Sequence, residues 1–448
     1  MSDAPPKMPT YGEAFRVWLR IGCLSFGGPA GQIALMHREI VDERRWVSDR
    51  RFLHALNFCT VLPGPEAQQL ATYLGWLMHG PIGGFTAGLL FVIPGALVML
   101  VLSAIYAMFG QVPFVEALFF GLKCAVLVLV LEALLRIGKR ALKGAVPWVL
   151  AGAAFVALFF FGIPFPAVVL GAGLLGWLMP ARFAGGSHGR AKDGPAAALD
   201  AMLDANPARV GELAGSARRA GLLAALAWII PLALLLPGGG VFADVAWFFS
   251  KMAVVTFGGA YAVLAYVAQA AVDHYQWLAA PEMLAGLGLA ETTPGPLILV
   301  LQFVGFLAGF RAPGSLTGLP GGIAATAITL WMTFAPCFVF VFLGAPLIER
   351  LAGNRALSGA MAAITAAVVG VIGNLAIWFA LHVLFSQVEE VRLGWLAFDA
   401  PALASADPWA MALAAVAAVS LLWLKLGVLR TLGICALVGL ALRMLGLA

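Results

Sequence analysis

Apolar positions along most of this chain neither alternate nor mark one face of a helix; they run on without interruption. A first series of such runs, each of roughly 17 to 28 residues, occupies 82–109, 114–137, 145–162 and 164–180. A second series occupies 220–237, 320–348, 357–386, 408–424 and 426–446. A helix rises ~1.5 Å per residue, so about 20 residues cross a hydrocarbon core of ~30 Å. Each run therefore predicts a membrane helix. Between the series lies a polar stretch, 181–219, with the segment GGSHGRAKDG and six Lys or Arg against four Asp or Glu. It predicts a linker on the cytoplasmic side.

Two regions, 11–79 and 242–310, do not read as simple spans. Their apolar stretches are broken by Phe26-Gly27-Gly28-Pro29 and Pro63-Gly64-Pro65, then by Phe257-Gly258-Gly259 and Pro294-Gly295-Pro296. Each break recurs 231 positions later, and over residues 25–65 twelve of 41 positions match, including Val41/Val272, Asp42/Asp273, Trp46/Trp277 and Leu53/Leu284. Such a pattern is an internal duplication. It divides the chain into an N-terminal half (1–180), the linker (181–219) and a C-terminal half (220–448) with one extra leading span. The loop after the first break carries Arg38, Arg44, Arg45, Arg50 and Arg51, whereas its counterpart at 268–282 has no Lys or Arg and carries Asp273 and Glu282. Cytoplasmic loops collect positive charge, so the halves are expected to face opposite ways. The span at 220–237 supplies the odd crossing that inversion needs. The expected fold is an all-α polytopic membrane protein of two inverted-topology homologous halves, with broken or re-entrant helices at the Phe-Gly-Gly and Pro-Gly-Pro motifs. A conventional reading with some 13 full crossings is the alternative, but it places a cluster of arginines or lysines outside.

Composition agrees with this pattern. Of the 448 residues 62% are hydrophobic and 11% charged, against roughly a quarter charged in a soluble domain. That excludes soluble-enzyme and nucleic-acid-binding classes. The net charge of +5 is what basic cytoplasmic loops leave behind. The five cysteines are scattered in apolar segments without metal-ligand or disulfide spacing, so no metal or cofactor is expected. The N-terminus lacks the basic-then-apolar pattern of a cleaved leader and is expected to stay in the mature protein.

Irregular backbone at membrane depth persists only where protein or a polar cavity satisfies it, so the breaks point inward. A helix restarting after Gly28 or Pro65 exposes free N–H groups and behaves like about half a positive charge; four such ends supply up to about +2, which suits a dianion. The plainer reading is that Gly and Pro merely allow kinks and close packing. Arg20 and Lys251 precede equivalent glycine pairs and are candidates for an anion pathway or for anchors at the interface. Glu66, after Pro65, and Glu291, before Pro294, are candidates for proton coupling or for helix capping. Thr292, Thr293, Gln68 and Gln69 offer neutral hydrogen bonds. Lys123 reads as the partner of a nearby carboxylate, and Asp42 and Asp273 as helix caps.

Leu24-Ser25-Phe26-Gly27-Gly28-Pro29, the basic loop ending in Trp46, Leu62-Pro63-Gly64-Pro65-Glu66-Ala67-Gln68-Gln69, Thr256-Phe257-Gly258-Gly259 and Thr292-Thr293-Pro294-Gly295-Pro296 together resemble the chromate ion transporter family in its long two-domain form. The resemblance implies a secondary transporter that exports chromate, with sulfate as the similar dianion, from the bacterial cytoplasm across the inner membrane and so confers resistance. The partners expected are the anion and the lipid bilayer, with no nucleic acid and with a homodimer left open. The competing functions are a transporter or channel for another anion, and an intramembrane enzyme built on His37, His54, His79 and Glu66. The chain contains no HExxH, GxSxG or Walker A motif to support an enzyme or an ATP-driven pump.

Overall fold

The computed structural model describes residues 7–183, 197–206, 208–257, 260–314, 316–345 and 354–447. In chain order the first half contains α1 (Tyr11–Leu24), α2 (Gly28–His37) with a π-helical turn (Arg38–Glu43), α3 (Asp49–Cys59), α4 (Glu66–Phe109), α5 (Pro113–Ala141), α6 (Ala145–Phe159), α7 (Phe165–Leu178) and α8 (Pro180–Phe183). Next come α9 (Ala198–Ala205), α10 (Ala208–Leu235), α11 (Gly240–Val255), α12 (Ala260–Gln269) with a π-helical turn (Ala270–His274), and α13 (Ala280–Thr292). A 3-10 turn (Leu297–Leu299) leads into α14 (Val300–Phe310), followed by α15 (Leu319–Gly344), α16 (Arg355–Leu384), an antiparallel hairpin of β1 (Val388–Leu393) and β2 (Leu396–Pro401), α17 (Pro408–Ala418) and α18 (Val428–Met444). Five helices among the described residues are long and apolar enough to cross a membrane. Their outward faces expose Leu97, Val101, Leu222, Leu223 and Leu234, which water would penalise and lipid does not. This is an all-α integral membrane protein, and its helices coincide with the apolar runs read from the sequence.

Both regions that resisted a simple reading fold into helical hairpins. In α4 the helix reverses at His79 (φ −131°) and Gly80 (φ 67°), a turn only glycine makes cheaply. The two limbs then run antiparallel, with Gly75 against Gly83 and Gly84 against the carbonyl of Thr72. Thus α3 runs to a break at 60–65, and the first limb of α4 runs back beside it, with Phe58 packed on Tyr73. In the second half α13 and α14 form a second hairpin, whose feet are joined by an Arg311 Nη2–Glu282 Oε1 pair at 2.6 Å. The α1–α2 and α11–α12 pairs fold back likewise: Arg20 reaches Glu39 at 3.3 Å, and Phe248 packs on Tyr266, Tyr275 and Trp277.

The second limb of α4 relates these feet to each other. It starts beside Tyr11, whose hydroxyl meets Thr86, passes Pro294 at Gly95, and ends with Tyr106 packed on Phe303 near Glu282 and Arg311. Close passage at Gly95 requires glycine, since a Cβ there would fall on the Pro294 carbonyl. Helix α15 runs the opposite way, from Gly321 against Gly309 to Gly344 against Phe58.

The polar linker supplies α9, which lies on the basic loop. Ala198 and Leu199 donate backbone hydrogen bonds to the carbonyls of Arg45 and Trp46, and Asp200 accepts from Ser48 N–H and from Arg51 Nε at 2.9 Å. Two features depart from the sequence reading. The runs 145–162 and 164–180 become helices of 15 and 14 residues, packed on α16 through Gly370 against Ala151 and Gly176 against Gly359. The stretch between the apolar runs 357–386 and 408–424, for which the hydrophobic pattern predicts no element, contains the β-hairpin, which covers the α6–α7 turn through Ala397 N–H to the Phe160 carbonyl and through Phe398 against Phe159 and Phe160.

Candidate functional site

The breaks at 25–28, 60–65 and 293–296 are tips of these helical hairpins, and Thr256 closes the C-terminal end of α11. Gly64 N–H donates to the carbonyl of Thr256 at 2.8 Å, and Gly295 N–H donates to the carbonyl of Ser25 at 2.8 Å. These are equivalent atoms in the two copies, so each Pro-Gly-Pro turn satisfies the orphan carbonyl at the helix end of the other half. The hydroxyls of Ser25 and Thr256 each donate back to the carbonyl four residues earlier, Ile21 and Met252. The repetition extends to the backbone: Arg45 and Gln276 both take positive φ, 51° and 54°. Trp46 and Trp277 donate N–H to the equivalent carbonyls of Ile40 and Ala271. Glycine is required at the turns because φ is 116° at Gly64 and 93° at Gly295. A Cβ on Gly64 would also lie 2.9 Å from both Cys337 Sγ and Gln69 Nε2. At Gly27 and Gly28, with φ 83° and 70°, a Cβ would meet nothing within 4 Å.

Between the tips lies a cavity of about 20 Å³ lined by Pro29 and Gln32 of α2, Pro65, Glu66 and Ala67 at the start of α4, and Pro296, Leu297 and Ile298 at the turn into α14. Three helix starts therefore face one space, each presenting unsatisfied N–H groups and the positive end of a helix dipole. Gln32, buried, donates its amide to the Gly295 carbonyl at 2.6 Å and ties α2 to the opposite half. Glu66 borders this cavity and has no hydrogen bond or ion pair among the described residues. Its counterpart is Leu297, so the carboxylate belongs to one half only. A volume of this size accommodates about one water molecule.

Other residues singled out from the sequence sit elsewhere. Arg20 is absent from the tip cavity. It opens, with Lys7, Arg16, Arg44, Glu13 and Trp46, onto a separate surface cavity of about 610 Å³ and pairs with buried Glu39, which Arg44 holds at 2.6 Å. Lys251 lies over the rings of Phe248 and Tyr266, 5.9 and 5.6 Å from their centroids. Glu291 is buried and accepts the Tyr261 hydroxyl at 2.7 Å, away from the cavity lining. Thr292 and Thr293 return their hydroxyls to the Leu289 carbonyl. Lys123 has no direct ion pair among the described residues, its nearby carboxylates being Glu116, paired with Arg443, and Glu282. Asp42 pairs with His37 at 3.2 Å rather than capping a helix. Phe257 packs against the core, while Gly258 and Gly259 lie outside the described residues. Gln32 went unnoticed in the sequence because a single neutral amide in an apolar helix carries no pattern.

A family model described as "Chromate transporter" matches residues 12–177 and 243–440. The chain is similar to a chromate transport protein of Pseudomonas aeruginosa, 32% identical over 406 residues, covering 89% of this chain and 88% of that protein. It is also similar to a chromate transport protein of Cupriavidus metallidurans, 27% identical over 369 residues and covering 81% and 82% of the two chains. The uncharacterized transporter YwrA of Bacillus subtilis is 29% identical over 169 residues, which are 37% of this chain but 94% of that protein. No solved structure matches the chain.

Proposed function

This chain belongs to the chromate transporter family, and from that premise we propose that it carries chromate, and sulfate as the similar dianion, out of the bacterial cytoplasm as a secondary transporter of the inner membrane. Family membership supports chromate transport and a non-enzymatic role. The observation that carries the site is the convergence of helix starts from both halves on one cavity beside the unpaired Glu66. Three such ends contribute about +1.5 of effective charge. An ionised Glu66 offsets much of this, and a neutral Glu66 leaves it for the dianion, so anion binding is linked to the proton on Glu66. Glu291, engaged by Tyr261, is a structural carboxylate in this scheme. Arg20, Arg16, Lys7 and Arg44 raise the local anion concentration at the cytoplasmic mouth.

The repeated tip geometry, the split family match and the arrangement of hairpin feet along α4 all support two inverted halves at 1–180 and 220–448, joined by 181–219. The reciprocal Gly64–Thr256 and Gly295–Ser25 bonds close the tips on a space too small for a tetrahedral oxyanion, so transport requires them to part. The experiment is chromate accumulation in chromate-sensitive bacteria expressing the chain. Export predicts less intracellular chromate and better survival than in cells expressing the Gly64→Ala, Gly295→Ala double variant. Equal accumulation in both at equal membrane abundance would sink the proposal.

A further inference from the structure

Threonine inside a helix ordinarily returns its hydroxyl to the carbonyl four residues earlier, as Thr72, Thr256, Thr293, Thr365 and Thr431 do. Thr326, Thr329 and Thr333 of α15 do not. Each is at least 96% buried, and each hydroxyl lacks a hydrogen-bond partner among the described residues. Their spacing puts them on one face of α15. A buried hydroxyl left unpaired costs its desolvation, so three on one face call for an explanation.

Their neighbours extend the stripe. Gly305 of α14 lies directly against the Thr329 hydroxyl, which a Cβ at that glycine would cover. The antiparallel packing of α14 on α15 brings Gln302 near the level of Thr333, and the Gln302 Oε1 is likewise buried without a partner among the described residues. One turn further along α15, Cys337 Sγ abuts Gly64 and Gln69 at the tips. From 326 to 337 the stripe spans about 16 Å, from near the Gly309–Gly321 contact, a turn from Arg311, to the edge of the tip cavity.

We propose that Thr326, Thr329 and Thr333, with Gln302, line a hydrated route by which the oxyanion passes between the tip cavity and the face carrying Glu282 and Arg311. Hydroxyls suit this role because they donate to an oxyanion and accept from water without holding the anion by charge. The route rests on the proposed transport function for its cargo, while its wetness is independent of that function.

The test uses the full chain in liposomes and has two arms. In the first, Thr329→Val, Thr333→Val, which keeps the shape and removes the hydroxyls, slows chromate flux about tenfold with thermal unfolding unchanged, while serine at both positions keeps the flux. In the second, Thr329→Cys is modified by the small anionic reagent sulfonatoethyl methanethiosulfonate, read at that position by peptide mass spectrometry, and chromate slows the modification. Wild-type flux in the valine variant, or an unreactive Cys at 329, would overturn the route in favour of dry packing. If the valine variant fails to fold, the cysteine arm alone decides. Absence of flux in the unsubstituted chain refutes the transport reading, whereas normal flux with an unreactive thiol refutes only the route.

Discussion

A carboxylate among helix starts competes with any anion that comes to the same place, and this makes Glu66 the most informative single residue. If the dianion binds when Glu66 is neutral, flux falls as pH rises through its titration, and Glu66→Gln holds the acidic-side flux across the range. A pH profile of proteoliposome flux checks this, and an unchanged profile in the variant would remove Glu66 from the mechanism. The glycines separate into two kinds. Gly27→Ala costs only its strained φ, about 1–2 kcal/mol, because nothing crowds the added methyl. Gly64→Ala adds a clash with Cys337 and Gln69, worth a further ~1–3 kcal/mol; thermal unfolding of the two variants should show the second clearly lower. Arg20, 57% exposed, acts through a screened field, so Arg20→Gln should raise KM at low salt and little at high salt. The glycines and prolines of the tips were legible because a break in an apolar run has few causes. The contacts of Gln32, and the lack of a partner for Glu66 among the described residues, were not, since they depend on how distant segments meet.

Among the elements, the long apolar helices were legible from run length alone, and the turns between the shorter helices from the glycines and prolines that break the apolar stretches. The reversal within α4 was marked by His79-Gly80-Pro81, which separates the broken region from the run at 82–109. The β-hairpin was hidden because it lies between two apolar runs, outside the pattern that marks the helices; the alternation around Gly394-Trp395 was the available signal. The short α6 and α7 could not be told from full spans, because the Phe159–Pro164 turn is as apolar as the helices it joins. If the halves are inverted, Arg50→Cys and His274→Cys, each combined with Cys23→Ser, should react with an impermeant thiol reagent from opposite sides of the membrane in intact cells. Equal labelling would contradict inversion. The linker also makes a testable contact: Asp200→Asn weakens the hold of α9 on Ser48 and Arg51 and should speed amide hydrogen exchange across 198–205, leaving 66–109 unchanged.

For the whole molecule, the driving force follows from charge. Moving one charge through 100 mV is worth about 2.3 kcal/mol, so a dianion leaving a negative-inside cell gains about 4.6 kcal/mol and needs no coupled cation for export. The scaffold suits such movement, since hairpin tips from both copies of the repeat meet in the interior, held by equivalent hydrogen bonds, while apolar helices on the outside suit lipid. The central claim is that this arrangement moves a tetrahedral dianion through the membrane. Its most direct test is chromate flux into liposomes containing the purified chain, under a potassium-diffusion potential whose sign can be reversed. The account predicts flux well above protein-free liposomes, faster toward the positive side and slower when the potential is inverted. Flux indistinguishable from protein-free liposomes, with the protein folded and inserted, would contradict it.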